Sequence, residues 1–224
     1  MPKSRILELR KQLEHHGYLY YVLDKPEISD FEYDQMMQEL LDLEEQYPQF
    51  YDANSPSQKV GGTILDQFER VAHKTEMYSL NNAFSYEDLL AFDKRIDKAL
   101  DSYEYDIEYK IDGLAISLLY ENGEFVQAIT RGDGIFGEDV SNNIKTIRSL
   151  PLKIDYFGEL EIRGEVIINK NDFDRINEAR KDLGESLFVN ARNAAAGSVR
   201  QLDSKIAASR SLDAFFYTIV NPKS

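Results

Sequence analysis

Residues 105–131 read YDIEYKIDGLAISLLYENGEFVQAITR, and this stretch decides the expected fold. Asn122 and Gly123 both tolerate a positive φ, so they predict a tight turn between two antiparallel strands. Strand-like composition, rich in β-branched, aromatic and leucine side chains, occurs at 105–110, 114–120, 125–131, 160–168 and 214–220. The pattern predicts antiparallel sheets built around a hairpin.

Helical patterns surround the predicted strands. Ser29 with Glu32, and Ser85 with Asp88, have the spacing of a capping box, in which each side chain bonds the backbone N–H of the other residue. Helical or partly helical segments are expected at 6–23, 29–45, 85–100, 140–147, 171–181 and within 190–208. Hairpins mixed with helices predict an α+β fold.

A linker-like stretch, NSPSQKVGG at residues 54–62, divides the chain. We therefore expect a small helical domain at 1–65, followed by a larger domain with antiparallel sheets at 66–224. The 224 residues are enough for these two units.

Composition narrows the possible functions. A net charge of -14 is unfavourable for binding DNA phosphates, so contacts to nucleic acid would be local or made by other parts of a larger protein. The absence of cysteine excludes disulfides and thiolate metal sites and fits a cytoplasmic location. The first residues have no long apolar run, so no signal peptide and no membrane span are expected. His15, His16 and His73 lack zinc-binding spacing, and no metal site is predicted from them.

Residues 108–113, EYKIDG, place a lysine between two carboxylates. On a strand, Glu108, Lys110 and Asp112 would lie on one face, and Gly113 would let a ligand approach the backbone. A lysine amine can be a covalent nucleophile if part of its population is neutral. Burial lowers its pKa whereas neighbouring carboxylates raise it, and the residues alone leave open which effect is larger. On these residues alone, a solvated strand face with alternating charges is the commoner explanation.

Residues 132–137, GDGIFG, fit the GxGxxG pattern of dinucleotide-binding folds. That function requires a parallel strand–helix–strand unit, whereas the preceding strand is expected in an antiparallel hairpin. Asp133, Glu138 and Asp139 would also repel a pyrophosphate. The pattern therefore does not predict hydride-transfer chemistry here.

EYKIDG resembles the KxDG motif of covalent nucleotidyltransferases. Its surroundings resemble bacterial NAD-dependent DNA ligases, in which the same motifs occur in this order: HHGYLYYVLDKPEISDFEYD, SLNNAF, TRGDGIFGEDV, NIKTIRSLP, EIRGEV and NARNAAAGSVRQLD. The resemblance covers essentially the whole chain. It implies an ATP-grasp-like nucleotidyltransferase domain that is incomplete at its C-terminal end.

The resemblance also implies a reaction. Lys110 attacks the adenylyl phosphate of NAD, forms lysine–AMP and releases nicotinamide mononucleotide, with Asp112 as a catalytic partner in the same motif. In the full enzyme, AMP then passes to the 5′-phosphate at a DNA nick. Positions that match nucleotide-binding residues of the family are Glu108, Gly113, Ser79, Leu80, Arg131, Glu165 and Tyr217. Core packing explains Tyr217 equally well. Magnesium would be held mainly by substrate phosphates, with Asp112 and Glu165 as outer partners.

The helical domain resembles the part that folds over the nicotinamide mononucleotide half of NAD. Its matching positions are Tyr20, Tyr21, Asp30, Tyr33 and Asp34, although many relatives have histidine where this chain has Tyr21. Without the resemblance, an acidic amphipathic helical hairpin is the simpler explanation. The stretch 190–201 is locally basic, and Arg192 and Arg200 are candidates for phosphate contacts at the nick, because the arginine fork pairs with phosphate oxygens. Ordinary solubilising charges are the alternative there.

The expected partners are NAD or AMP and, in the full-length enzyme, nicked double-stranded DNA. This chain is expected to bind DNA weakly, to have no membrane partner and to be a monomer. Two other functions fit less well. One is a non-catalytic nucleotide-binding module that keeps the pocket without turnover. The other is an ATP-using nucleotidyltransferase, which the Tyr20 and Asp30–Asp34 positions disfavour.

Overall fold

A computed structural model of the protein describes residues 2–21, 25–60 and 67–220, without the side chains of Tyr21, Asp30 and Val60. Two helices open the chain, α1 at Pro2–Tyr21 and α2 at Asp30–Gln46. The predicted capping box begins α2. The Ser29 side chain accepts from the Glu32 N–H, and the Glu32 carboxylate accepts from the Ser29 N–H. Ile6, Leu9, Leu13 and Leu40 form the small core between the helices.

Short 3-10 turns at Pro48–Phe50 and Pro56–Val60 lead from α2 towards the rest of the molecule. Buried Arg10 pairs with Glu44 at 2.5 Å and donates to the carbonyl oxygen of Phe50 at 2.7 Å. Lys59 Nζ donates to the carbonyl oxygens of Arg148 and Leu150, at 2.9 and 2.8 Å. The Arg10 bonds lie within the helical part, and the two Lys59 bonds hold that part against the second part of the chain.

The second part contains two antiparallel sheets. Its strands, numbered along the chain, are β1 at Arg70–Ala72, β2 at Leu114–Glu121, β3 at Glu124–Thr130, β4 at Phe136–Glu138, β5 at Glu159–Ile167 and β6 at Asp213–Val220. The larger sheet has the order β3-β2-β5-β6, while β1 pairs with β4. Asn122 and Gly123 have φ values of 50° and 82°, so the predicted turn between β2 and β3 is confirmed.

The helices of the second part are α3 at Tyr86–Asp97, α4 at Ser141–Ile144, α5 at Lys170–Asp182, α6 at Ala191–Val199 and α7 at Ser204–Ser209. All except α3, which has no buried residue, contribute side chains to the core of the larger sheet. Buried side chains of α4, α6 and α7, such as Ile144, Ala194 and Ala207, join Ile116 and Val166 of the sheet in one cluster. The predicted α+β fold with antiparallel sheets is confirmed.

The predicted strand at 105–110 is wrong. These residues have no regular secondary structure, and β2 begins only at Leu114, where its pairing with Val166 of β5 starts. Ile107 and Tyr109 are 96% and 95% exposed, and Asp106, Glu108 and Lys110 between and beside them are exposed too, so both faces of the segment are open to solvent. Within the described ranges no strand pairs with this segment, and composition alone does not hold an extended chain. Glu108, Lys110 and Asp112 therefore do not share a strand face.

The glycine-rich loop after β3 is not a dinucleotide-binding turn. Gly132 and Gly134 have φ values of 56° and 94° and turn the chain from β3 towards β4. All strand pairings among the described residues are antiparallel, so the loop belongs to no parallel strand–helix–strand unit there. In the parts of the chain that are described, no helix combines the length and the apolar character that crossing a bilayer requires.

Candidate functional site

Gly113 lies against β5 at the end of the EYKIDG segment. Its N–H donates to Glu165 Oε1 at 3.2 Å. A Cβ atom at this position would lie 2.1 Å from the carbonyl oxygen of Val166, closer than real Cβ atoms come to another atom. The close approach requires glycine, and it fixes the residues after Lys110 beside Glu165.

Glu165 is a buried carboxylate, 6% exposed, surrounded by positive charge. Burial raises the pKa of Glu165, while the Gly113 N–H and then the charges of Lys110, Arg192 and Arg131 act to lower it. Burial also raises the pKa of Tyr217, and the charge of Glu165 raises it further. Six predicted residues thus lie together, and we name them the Glu165 cluster: Lys110, Gly113, Arg131, Glu165, Arg192 and Tyr217.

Tyr217 occupies a bulge in β6. Gly164 of β5 pairs with Phe216 and Arg163 pairs with Thr218, so Tyr217 is the extra residue between two pairs. Bulges re-aim side chains and are common near binding sites. The Tyr217 ring is half-exposed, which leaves its surface accessible to a ligand.

Lys110 and Asp112 stand at the open side of the cluster. The Lys110 side chain is exposed and forms no hydrogen bond or ion pair with the described residues. Asp112 Oδ1 accepts from Arg192 Nη1 at 3.0 Å, which ties the motif to helix α6. An exposed primary amine beside two arginines can be reached by a phosphate ester.

A cleft of about 500 Å³ adjoins the cluster and is lined by four arginines: Arg70, Arg131, Arg192 and Arg200. Arg200 pairs with Glu138 at 2.6 Å, and Arg70 pairs with Asp133 at 2.8 Å. Asp133 and Glu138, predicted to repel a pyrophosphate, therefore face arginines instead. Arg70 also lies over the ring of Phe136, at 4.8 Å from its centre. The pairing of β1 with β4 brings Arg70 here, and the sequence carried no signal of that contact.

Three predicted nucleotide-binding residues lie outside the cluster. Ser79 lines a neighbouring cleft of about 380 Å³ together with Arg131 and the loop at 132–135. Leu80 is 76% exposed and lines neither cleft. Glu108 is exposed and makes no hydrogen bond or ion pair within the described part of the chain.

A pocket of about 220 Å³ is lined mainly by the helical part, and we call it the pocket of the helical part. Tyr20, Tyr33 and Asp34, which the sequence predicted to act together, all line it. His16 and Arg148 line it as well and were not predicted. The side chains of Tyr21 and Asp30 lie outside the described residues.

Two family models match the chain. The model described as NAD-dependent DNA ligase adenylation domain matches residues 65–224. The model described as DNA ligase-like, N-terminal NAD+-binding domain matches residues 1–61. The chain belongs to the NAD-dependent DNA ligase family. The family resemblance identified in the sequence is thereby confirmed.

Curated relatives agree with this membership. The chain is 55% identical over 219 residues to the DNA ligase of Anoxybacillus flavithermus, and these residues are 98% of the chain and 33% of the relative. It is 56% identical over 220 residues to the DNA ligase of Carboxydothermus hydrogenoformans, covering 97% of the chain and 33% of the relative. The DNA ligase of Listeria monocytogenes serotype 4b is 53% identical over 220 residues, again 33% of its length. The chain thus spans about a third of these ligases.

Proposed function

We propose that this chain is the part of an NAD-dependent DNA ligase that takes up AMP from NAD. The Lys110 amine attacks the adenylyl phosphorus, a nitrogen–phosphorus bond forms, and the bond to the phosphate of nicotinamide mononucleotide breaks. The products are lysine–AMP and nicotinamide mononucleotide, and the amine releases a proton. The observation that carries the proposal is the exposed Lys110 amine beside Glu165 and two arginines, at the edge of an arginine-lined cleft.

The Glu165 cluster offers a contact for each part of an adenylate. The half-exposed ring of Tyr217 can stack on the planar adenine. Arg131 and Arg192 can offset charge that develops on the phosphate in the transition state. Gly113 holds the end of the EYKIDG segment against β5, beside Glu165. Glu108, Ser79 and Leu80 enter the proposal only through the family resemblance.

The pocket of the helical part is proposed to take the nicotinamide mononucleotide half. Its lining suits that ligand, because tyrosine rings can stack on a positively charged nicotinamide ring. Asp34 adds negative charge on the same wall, and Tyr20 and Tyr33 provide the rings. Tyr21 and Asp30 belong to this proposal by family resemblance.

Magnesium is proposed as the accompanying ion. The available donors fit it, since the carboxylates of Asp112 and Glu165 are the oxygen ligands that magnesium prefers. A bound magnesium ion would draw negative charge away from the substrate phosphates. Gly113 and Arg192 already hold these two carboxylates in place, so the ion would meet oriented oxygens.

DNA is the proposed acceptor of the AMP in the complete ligase. Arg192 and Arg200 are proposed to contact the 5′-phosphate at a nick, which their position in one arginine-lined cleft supports. The net charge of -14 opposes strong DNA binding by this chain alone. The proposal also includes a domain boundary near residue 65, an ATP-grasp-like core, a monomeric state and a cytoplasmic location.

Covalent labelling tests the reaction. The chain is incubated with magnesium and NAD labelled in the adenylate, and the protein is analysed for a bound label. We expect a labelled protein from NAD, none from labelled ATP, and none from Lys110→Ala. Lys181→Ala, which changes an exposed lysine of α5, is the matched control and should label normally.

Other results would identify another function. NAD binding without a covalent adduct would indicate a non-catalytic nucleotide-binding module. Label from ATP alone would indicate an ATP-using nucleotidyltransferase. An adduct that survives in Lys110→Ala would show that a different residue is the nucleophile.

A further inference from the structure

Two histidines and a glutamate meet beside the pocket of the helical part. His15 and His16 are near the end of α1, and Glu27 lies in the loop before α2. Each offers one ligand atom, and these atoms all lie within 4.8 Å of one another. His15 Nε2 is 3.6 Å from Glu27 Oε2. The sequence did not predict this group, because its spacing is not that of a known zinc site.

His16 provides a second, independent observation. Its Nδ1 atom is buried and has no hydrogen-bond partner among the described residues. Buried polar atoms of side chains usually have a partner. His16 therefore has a ring nitrogen without a hydrogen-bond partner among the described residues, and its ring lies beside another imidazole and a carboxylate.

We propose that His15, His16 and Glu27 bind a divalent transition-metal ion of the zinc class. Two histidines and one glutamate are a known zinc ligand set that leaves a fourth position for water. With ligand bonds of about 2.0–2.2 Å, ligand atoms around a tetrahedral ion lie roughly 3.4 Å apart. The His15–Glu27 distance already fits that spacing. The His15 and Glu27 side chains are both more than half exposed, so small rotations can bring in the remaining ligand.

The position of this metal site has a consequence that depends on the proposed function. His16 and Glu27 also line the pocket with Tyr20, Tyr33 and Asp34, where the nicotinamide half of NAD is proposed to bind. A divalent ion there places positive charge against a positively charged ring and withdraws Glu27 from the pocket wall. The metal ion and NAD therefore compete, and each lowers the affinity for the other by the same factor.

Metal binding can be measured without NAD. The full chain is dialysed against zinc chloride at increasing concentration, and protein-bound zinc is determined by elemental analysis. We expect saturation near one zinc ion per chain, with at least a tenfold weaker affinity in His15→Ala and in Glu27→Gln. Glu8→Gln, which alters an exposed carboxylate of α1, is the matched control and should bind zinc normally. Circular dichroism confirms that the variants fold.

The proposed site would be overturned if zinc binding did not saturate. It would also be overturned if His15→Ala and Glu27→Gln bound zinc as tightly as the unmodified chain. The competition is tested by titrating NAD at a zinc concentration ten times its dissociation constant. The apparent NAD affinity should then fall about tenfold in the unmodified chain and little in His15→Ala. Unchanged NAD affinity with zinc bound would overturn the competition. No NAD binding at any zinc concentration would instead count against the proposed function, while the dialysis result would still decide the metal site.

Discussion

The Asp112 carboxylate accepts a hydrogen bond from Arg192, with 3.0 Å between Oδ1 and Nη1. This bond joins the EYKIDG segment to α6, two parts of the chain that are distant in sequence. Both side chains are largely exposed, so the ion pair is expected to add little to the free energy of unfolding. Its effect is to orient Asp112 next to Lys110 and Arg192 next to the cleft.

Asp112→Asn should therefore separate activity from stability. We expect the rate of lysine–AMP formation to fall at least tenfold, because the variant loses a charge proposed to act beside the nucleophile. The free energy of unfolding should change by less than about 1 kcal/mol. Labelling kinetics and urea denaturation measure the two effects. Glu8→Gln breaks a comparable exposed pair with Arg5 and should leave both unchanged. A normal labelling rate in Asp112→Asn would remove Asp112 from the catalytic residues.

Gly113→Ala should destabilise the fold as well as the site. The added methyl group would meet the carbonyl oxygen of Val166 at 2.1 Å and Glu165 Cγ at 3.0 Å, so β2 and β5 would have to separate locally. Overpacking of this kind costs about 1–3 kcal/mol in unfolding free energy. Thermal unfolding measures the loss. Gly17→Ala in α1 is the matched control, because its new methyl group meets only the Tyr33 hydroxyl at 3.3 Å. Equal melting temperatures for the two variants would contradict the argument.

Local chemistry allowed much of the fold to be predicted. The Asn122–Gly123 turn and the capping boxes at Ser29 and Ser85 depend on residues close in sequence, and all three are present. The segment 105–110 has the composition of a strand, but a strand also needs a neighbour to bond with, and composition does not specify one.

The residues of the candidate site could likewise be predicted only in part. The family motifs identified Lys110, Glu165 and Arg192, which the structure brings together. The position of Arg70 depends on the register of β1 against β4, a contact that no motif specifies. His15, His16 and Glu27 all lie in one family motif, but their spacing is not that of a known zinc site, so the sequence did not indicate that they meet.

Substitutions of Tyr217 distinguish a role in stacking on adenine from a role in core packing. If its ring stacks on the base, Tyr217→Ala should weaken NAD or AMP binding roughly three- to tenfold, and Tyr217→Phe should bind within about twofold of the unmodified chain. Isothermal titration calorimetry measures both affinities. Phe157→Ala removes an exposed aromatic ring that lies outside the Glu165 cluster and should bind normally. A large loss of stability in Tyr217→Ala with unchanged affinity would favour the packing role.

Lys59 should make stability depend on pH above neutrality. Burial lowers the pKa of Lys59 from 10.5 to about 8, with the charge of Glu14 acting in the opposite direction. Between pH 8 and 10.5 the unfolded chain holds a proton that the folded chain has lost, so folding becomes more favourable as the pH rises through this interval. The gain approaches roughly 3 kcal/mol if the full difference in pKa applies. Below pH 8 the amine is protonated in both states, and its burial penalty is constant.

Urea denaturation at pH 7.5, 9 and 10.5 measures this gain, with Lys59→Met as the comparison. Other lysines and tyrosines titrate in the same range, but their contributions cancel in the difference between the two proteins. The unmodified chain should gain stability relative to Lys59→Met across the interval. Lys59 donates to the carbonyl oxygens of Arg148 and Leu150, so the change in its charge acts at the contact between the helical part and residues 148–150. Parallel stability curves for the two proteins would show that Lys59 titrates as an ordinary exposed lysine.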